Sequence, residues 1–298
     1  MSFDLYFYKS NQSRITEEDV ANYLTNNIPF IKSENHQWFY DNEATGVYFS
    51  FDNNEPNSEP EDIEFYDKFN GFTNLNFLFN INFGRPQFFG LEAFPIIDKF
   101  VSDLDLFVFD PQEGAFPTKF PIGNLQDLWM RLNTMAAKKL LEELKLDYLE
   151  LEKSNYLWSF QFKRGSLQNS ITEDIFVPGY FVIKNKDDGQ LYTACVWPKH
   201  LPIILPPVDY IIIDKKIKKI FKTVEFFGVI GYETVMSQLG SYFENFEDEL
   251  PNLKKLSQEN SDKLERQYNS LPIYKTLEQF GSGVSFSSFV NIKKYTNS

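Results

Sequence analysis

The sequence predicts an α+β protein in two parts, on three observations. Segments that alternate apolar and polar residues, the period of a half-buried strand, are interleaved with segments whose apolar residues recur every three or four positions, the period of a helix. The 298 residues exceed one ordinary domain, and 42% hydrophobic content with 32 Phe is enough for packed cores. Charge is the third. Residues 1–110 hold 6 Lys and Arg against 19 Asp and Glu, a balance of −13, whereas the remaining 23 of each sign cancel.

Phe3–Lys9 (FDLYFYK) alternates and is rich in β-formers, so it opens the chain as a strand. A helix follows in ITEEDVANYLTNN, with Thr16 as N-cap and Glu17, Glu18 and Asp19 complementing the dipole of its first turn. Its apolar stripe is Ile15, Val20, Tyr23 and Leu24. QWFYDNEATGVYFSF reads as two strands around the polar turn Asn42–Gly46. Further on, TNLNFLFNINF sets Leu75, Phe77, Phe79, Ile81 and Phe83 on one face against four asparagines on the other. FFGLEAFPIIDKFVSD is helical, with Pro95 near its start or at a kink, and LDLFVFD is a closing strand. With one extra strand this order is the split βαβ, ferredoxin-like plan, an antiparallel sheet. The charge balance changes at its end, where DPQEGAFPTKFPIGN has the Pro and Gly content of a linker. The expected organisation is an acidic domain over 1–110, a linker over 111–123 and a second α+β domain over 124–298.

The second part opens on a long helical pattern, Leu125–Ser154, capped by Asn124. Strands are expected at Tyr156–Lys163, Gly179–Asn185 and Leu191–Trp197, the last two joined across the turn Lys186–Gly189. VDYIIID is a short apolar run suited to a buried strand, and Tyr232–Asn269 reads as mostly helical.

Signatures of chemistry are nearly absent. The chain has no phosphate-cradling GxxxxGK[ST] loop, no zinc-binding HExxH pair and no GxSxG elbow. GSGVSF at Gly281 has two glycines of a dinucleotide fingerprint but Phe286 in place of the third. Two histidines, His36 and His200, exclude a three-histidine metal site, and the single Cys195 excludes an internal disulfide. Cys195 sits within an apolar strand pattern and reads as a buried hydrophobe, with His200 held in a proline-flanked loop. Asp103 and Asp105 share a face that a divalent cation would need, but no third ligand is near in sequence. The run Lys215, Lys216, Lys218, Lys219 and Lys222 around Ile217, Ile220 and Phe221 reads as a solvated edge. No apolar stretch reaches the roughly 18 residues of a membrane span, and the N-terminus lacks a basic leader, so a cytoplasmic protein is expected.

Charge points to function more than motif does. Gly46–Asp67 (GVYFSFDNNEPNSEPEDIEFYD) begins as a strand and continues as an acidic segment with no Lys or Arg. It is either a solvated loop or a surface for a basic partner. As a surface it offers Glu55, Glu59, Glu61, Asp62 and Glu64, with Phe65, Tyr66 and Phe69 as aromatic anchors. A field of this sign repels phosphate backbones, so no nucleic-acid partner is expected.

Four stretches, MSFDLYFYKS with ITEEDVANYL, ATGVYFSF, LYTACVWPKHLPIILPPVDYIII and KTVEFFGVIGYETVM, resemble immunity proteins encoded beside polymorphic toxins of bacterial type VI secretion systems. They cover about a third of the chain and are framework segments without a catalytic signature. The resemblance implies a cytoplasmic antitoxin that is not an enzyme, uses no cofactor and binds a cognate toxin at or near its active site. Two other classes remain open on the residues alone: an enzyme with an acidic cleft, and a secretion adaptor.

Overall fold

The computed structural model describes residues 1–112, 114, 116–144, 146–171, 174–219 and 222–292, with side chains throughout except in 140–144, 217–219 and 222–224. It is a mixed α+β structure whose sheets are chiefly antiparallel. Two compact units divide it, Met1–Leu146 and Asp147–Asn291.

The first unit runs β1 (Ser2–Ser10), α1 (Glu17–Asn27), β2 (Ile31–Glu34), β3 (Gln37–Asn42), β4 (Val47–Asn53), the short α2 (Pro60–Asp62), β5 (Phe72–Asn82), α3 (Phe88–Asp103), β6 (Phe107–Phe109) and α4 (Asn124–Leu144). The six strands form one sheet in the order β2-β3-β4-β5-β1-β6, with every neighbouring pair antiparallel. Thr16 caps α1 as expected: its hydroxyl accepts from the Asp19 N–H, and the Asp19 carboxylate accepts from the Thr16 N–H in return.

Strand alternation separates the two faces of this sheet. Phe3, Leu5 and Phe7 of β1, Phe49 and Phe51 of β4, and Phe77, Phe79 and Ile81 of β5 are all buried on one side. Phe94, Ile97 and Phe100 of α3 are buried with them, and the rings meet edge to face: Phe7–Phe100 at 5.0 Å and Phe51–Phe100 at 5.5 Å between centroids. This core accounts for much of the phenylalanine excess, because rings at alternate strand positions interlock with rings at helical spacing. Pro95 lies inside α3 on its exposed side. Glu92, on the buried side, accepts from the Tyr40 hydroxyl (2.7 Å), the Asn42 amide (2.8 Å) and the Thr45 hydroxyl (3.0 Å). Those bonds satisfy a buried carboxylate and fasten the β3–β4 turn to the helix.

The second unit runs β7 (Asp147–Tyr148), α5 (Leu151–Ser170), β8 (Tyr180–Asn185), β9 (Leu191–Trp197), β10 (Ile203–Leu205), β11 (Tyr210–Lys219), β12 (Lys222–Gly231), α6 (Tyr232–Leu239), β13 (Glu244–Phe246), β14 (Leu253–Leu256), α7 (Gln258–Ser270), β15 (Lys275–Thr276), α8 (Leu277–Phe280), β16 (Gly281–Val284) and β17 (Phe289–Val290). Its main sheet has the order β15-β12-β11-β9-β8-β16, with β9 and β11 parallel. A smaller sheet, β10-β14-β13, and the parallel pair β17-β7 complete it.

Four expectations are corrected. The division between units falls at Leu146/Asp147, after α4, and not within 111–123. The expected linker is docked on the first unit: Val108 and Thr118 exchange backbone hydrogen bonds of 2.8 and 2.9 Å, and the Gly123 N–H donates to Asp98. Glu113 and Ala115 within it lie outside the described residues. α4 itself packs on α3, where a Cβ on Gly90 would come within 2.7 Å of the Trp129 ring, so only glycine permits that approach. Second, the long helix expected to reach Ser154 ends at Leu144, and the chain pairs as β7 with β17 before helix resumes. Third, Tyr156–Lys163 is helix, not strand. Ser154, Leu157, Phe160, Gln161 and Leu167 are the buried positions of α5, a helical spacing, while Trp158 and Phe162 stack one turn apart on its outer side. Fourth, Tyr232–Asn269 contains β13 and β14 between its two helices.

Candidate partner-binding surface

The acidic segment leaves β4 tied to the sheet. The Asn53 N–H donates to the His36 carbonyl and the Asn54 N–H to the Asn76 carbonyl. Pro60 occupies the first turn of α2, where its missing N–H costs nothing, and Glu61 and Asp62 complement the helix N-terminus. A single π-helical turn, Ile63–Asp67, continues it. Asn57 and Asn74 donate to the Asp67 carboxylate at 3.1 and 2.9 Å and close the segment as a loop against β5.

Aromatic packing anchors this segment from below. The Tyr8 hydroxyl donates to the Tyr66 carbonyl at 2.8 Å, and the Tyr66 ring lies 4.6 Å from that of Tyr6. Burial pushes the Tyr6 phenol well above its ordinary range, and its hydrogen bond to Tyr66 and the charges of Asp4 and Asp62 add to the shift. Asp4 on the sheet and Asp62 on the segment both act on this ring.

The predicted residues separate into two groups. Glu55, Glu59, Glu61, Asp62 and Glu64 are all exposed, and none forms an ion pair with a described residue. Phe65 is 42% exposed and Tyr66 is partly buried. Phe69 is a correction. It is 6% exposed, with Tyr8 at 5.6 Å and Phe109 at 5.0 Å around its ring, and serves the core of the segment, not a partner. Sequence reasoning missed Ile63, 43% exposed beside Phe65. An apolar residue among acids was the available signal.

Sequence reasoning also missed the sheet face next to the segment. Asp4, Tyr6, Phe39, Asp41, Ser50, Asp52 and Asn80 occupy strand positions that alternate with the core, and all are partly or fully exposed. They form cross-strand rows: Asn80 stands opposite both Asp4 and Ser50, and Asp52 opposite Gln37. Asp41 reaches Lys32 at 3.8 Å, and the described neighbours of Asp4 and Asp52 are uncharged donors, Asn80, Ser50 and Gln37 among them. The surface offers a rigid array of negative charge with Ile63, Phe65 and Phe39 as apolar points, suited to a cationic protein face.

The remaining sequence candidates are held in structural roles. Asp103 accepts from Lys99 and the Tyr23 hydroxyl, both at 2.6 Å, and these bonds hold its carboxyl below the ordinary range. Asp105 pairs with Lys119, so each member of the aspartate pair has a cationic neighbour. Among the described residues no three His, Cys, Asp or Glu converge as metal ligands. Cys195 is fully buried, and desolvation drives its thiol pKa up, away from the reactive thiolate. His200 meets Tyr268 edge to face at 5.8 Å, and its carbonyl accepts from Ser261. Of the lysine run, Lys215 donates to the Tyr268 and Asn269 carbonyls and Lys216 pairs with Glu225. Ile220 and Phe221 and the side chains of Ile217, Lys218, Lys219 and Lys222 lie outside the described residues. The first four residues of GSGVSF form the edge strand β16, where a Cβ on Gly281 would come within 2.2 Å of the Lys184 carbonyl oxygen. That glycine serves strand approach. No helix among the described residues is long and apolar enough to cross a membrane.

Comparison of the chain with protein-family models, with curated proteins and with solved structures gives no match.

Proposed function

We propose that this chain is an immunity protein that captures a secreted toxin through the acidic surface of its first unit, probing the toxin's cationic face and occluding its active site. One observation carries the reading: five exposed carboxylates that form no ion pair with a described residue sit on a segment packed onto the sheet by buried rings. A merely solvated loop needs no such anchoring. Charge of one sign held in fixed geometry speeds encounter with a cationic partner and discriminates among partners more than it adds affinity. Interception of a lethal enzyme places its demand on that rate. The reading includes a cytoplasmic location, action without catalysis or cofactor, and no nucleic-acid or membrane partner. It also takes the first unit as an elaborated ferredoxin-like sheet. The order β4-β5-β1-β6 with two crossing helices supports that plan, and β2 and β3 extend it on one side.

Co-expression with the toxin encoded next to the gene tests protection, and binding kinetics test the surface. Changing Glu55, Glu59, Glu61 and Glu64 to Gln and Asp62 to Asn should slow association at low salt. The wild-type rate should fall toward the variant's as salt shortens the field to about 8 Å at physiological ionic strength. A carboxylate buried against a toxin Arg or Lys would instead speed dissociation when lost, at a cost of roughly 2–5 kcal/mol. Equal rates for the two proteins at both salt concentrations would remove the acidic segment from the interface.

A further inference from the structure

The three larger sheets end in six edge strands, and five of these are blunted. β2 carries Lys32 and Glu34, β15 is two residues long and begins with Lys275, and β13 is three residues long and begins with Glu244. β6 and β10 are covered: Val108 of β6 exchanges backbone bonds with Thr118, and the Ile204 N–H of β10 donates to the Phe176 carbonyl. Charge, shortness and cover are the means by which edges are kept from pairing with another chain. β16, with the sequence Gly-Ser-Gly-Val, ends the main sheet of the second unit and has neither charge nor cover among the described residues.

The hydrogen-bond ladder fixes where the backbone groups of β16 point. Bonded and unbonded pairs alternate along antiparallel strands. The Lys186 N–H donates to the Phe280 carbonyl, and Asn185 turns its N–H the other way, to Gln190. The bonded pairs that continue this phase are Ser282 with Lys184 and Val284 with Val182, so Gly281 and Gly283 point their groups away from β8. The Gly281 N–H is taken by the Leu277 carbonyl at the end of α8. No described residue bonds the N–H or the carbonyl of Gly283, which is exposed. The close approach to β8 requires the glycine at 281. Nothing internal requires the one at 283: a Cβ there would meet nothing within 4 Å, and its φ lies outside the left-handed region. A glycine in a strand marks the close approach of another backbone, and at 283 that backbone is not in this chain's described residues.

We infer that β16 pairs with β16 of a second copy of this chain, antiparallel about a two-fold axis at Gly283. The N–H of each Gly283 donates to the carbonyl of the other, and the two main sheets continue into one. This surface is independent of the acidic surface of the first unit. An outward N–H and carbonyl on an extended strand complement another extended main chain. A different folded protein would have to offer an edge as bare as β16, whereas a second copy carries one by construction. Charge agrees. A net charge of −13 opposes self-association, but no charged residue lies between Glu278 and Lys293, so the strands meet without like charges opposed. On the axis glycine meets glycine, with no side chain to hold the strands apart. Four residues a side is a small contact, so the association is weak and concentration-dependent.

Sedimentation equilibrium of the full chain reads it. The weight-average mass should rise from 35.0 kDa toward twice that value between about 1 μM and about 1 mM. Gly283→Pro removes the outward N–H and no internal bond; Gly283→Lys keeps the N–H and sets two ammonium groups face to face. Each should weaken association by about tenfold or more while the melting profile stays in place, and Gly283→Lys carries the test if Gly283→Pro misfolds. The Gly283 amide, unbonded in the single chain, should exchange its hydrogen more slowly as concentration rises. A mass that stays at the single-chain value, association that the folded variants leave intact, or amide exchange indifferent to concentration would overturn the inference. So would a single chain whose Gly283 amide slows only when the toxin encoded next to the gene is added, which assigns the edge to that partner.

Discussion

Truncation of Phe69 separates its two possible roles. As a partner anchor it would be dispensable to folding; as a core residue it holds the acidic segment on the sheet. Its ring is 6% exposed and meets Tyr8 and Phe109 at 5.6 and 5.0 Å. Burying an aromatic side chain removes about 200 Å² from water, which at ~25 cal/mol/Å² sets a ceiling of about 5 kcal/mol. Phe→Ala in packed sites costs about 3–5 kcal/mol. Phe116 beside it is 69% exposed, so one wall can relax and the lower end, about 3 kcal/mol, is expected for Phe69→Ala. For a protein of this size that is a fall of roughly 6–12 °C in melting temperature. Phe65→Ala is the matched control. It removes a ring that is 42% exposed and meets Phe109 at 5.8 Å, so a smaller cost, about 1–2 kcal/mol, is expected. Scanning calorimetry of the full chain reads both and reports whether the first unit melts as its own transition. Similar losses for the two variants, or a cost below about 1 kcal/mol for Phe69→Ala, would refute the assignment of Phe69 to the core.

Two further outcomes follow from single contacts. Gly281→Ala places a methyl within 2.2 Å of a backbone oxygen and 2.8 Å of Ile183, so β16 must move off β8. A loss of at least about 1–3 kcal/mol is expected by thermal melt, against almost none for Gly283→Ala. For Asp103, bonds from Lys99 and Tyr23 lower the folded-state pKa, so its contribution to stability is present above the ordinary carboxylate value of 3.8 and lost as pH falls through the lowered one. The gap in melting temperature between wild type and Asp103→Asn should accordingly be open at pH 7 and close in acid, and a gap constant with pH would contradict the linkage.

Local pattern made much of the first unit legible. β1, β3, β4 and β5 alternate because one face is packed and the other wet, and α1 carries its own cap in Thr16 and Asp19. The asparagines of β5 lie on the open face, as their spacing required. Tyr156–Lys163 misled because aromatic residues alternate there, yet a helix also accommodates them when one set faces a core and Trp158 and Phe162 stack outside. The acidic residues of the candidate surface were legible as charge. Phe69 was not legible as core, because the rings that enclose it come from strands about sixty residues before and forty after it.

By itself the sequence determined the α+β class, the concentration of negative charge in the first part, the strands with clean alternation and the absence of known catalytic signatures. These depend on composition and on periods of two and 3.6 residues, which neighbours along the chain are enough to express. Only the tertiary structure decided that 111–123 docks on β6, that α4 belongs to the first unit, that Asp147–Tyr148 pairs with Phe289–Val290, and that β16 pairs with β8 to end its sheet. Each of those depends on groups far apart in sequence meeting in space, where the close approach of Gly90 to Trp129 or of Gly281 to Lys184 leaves no periodic trace.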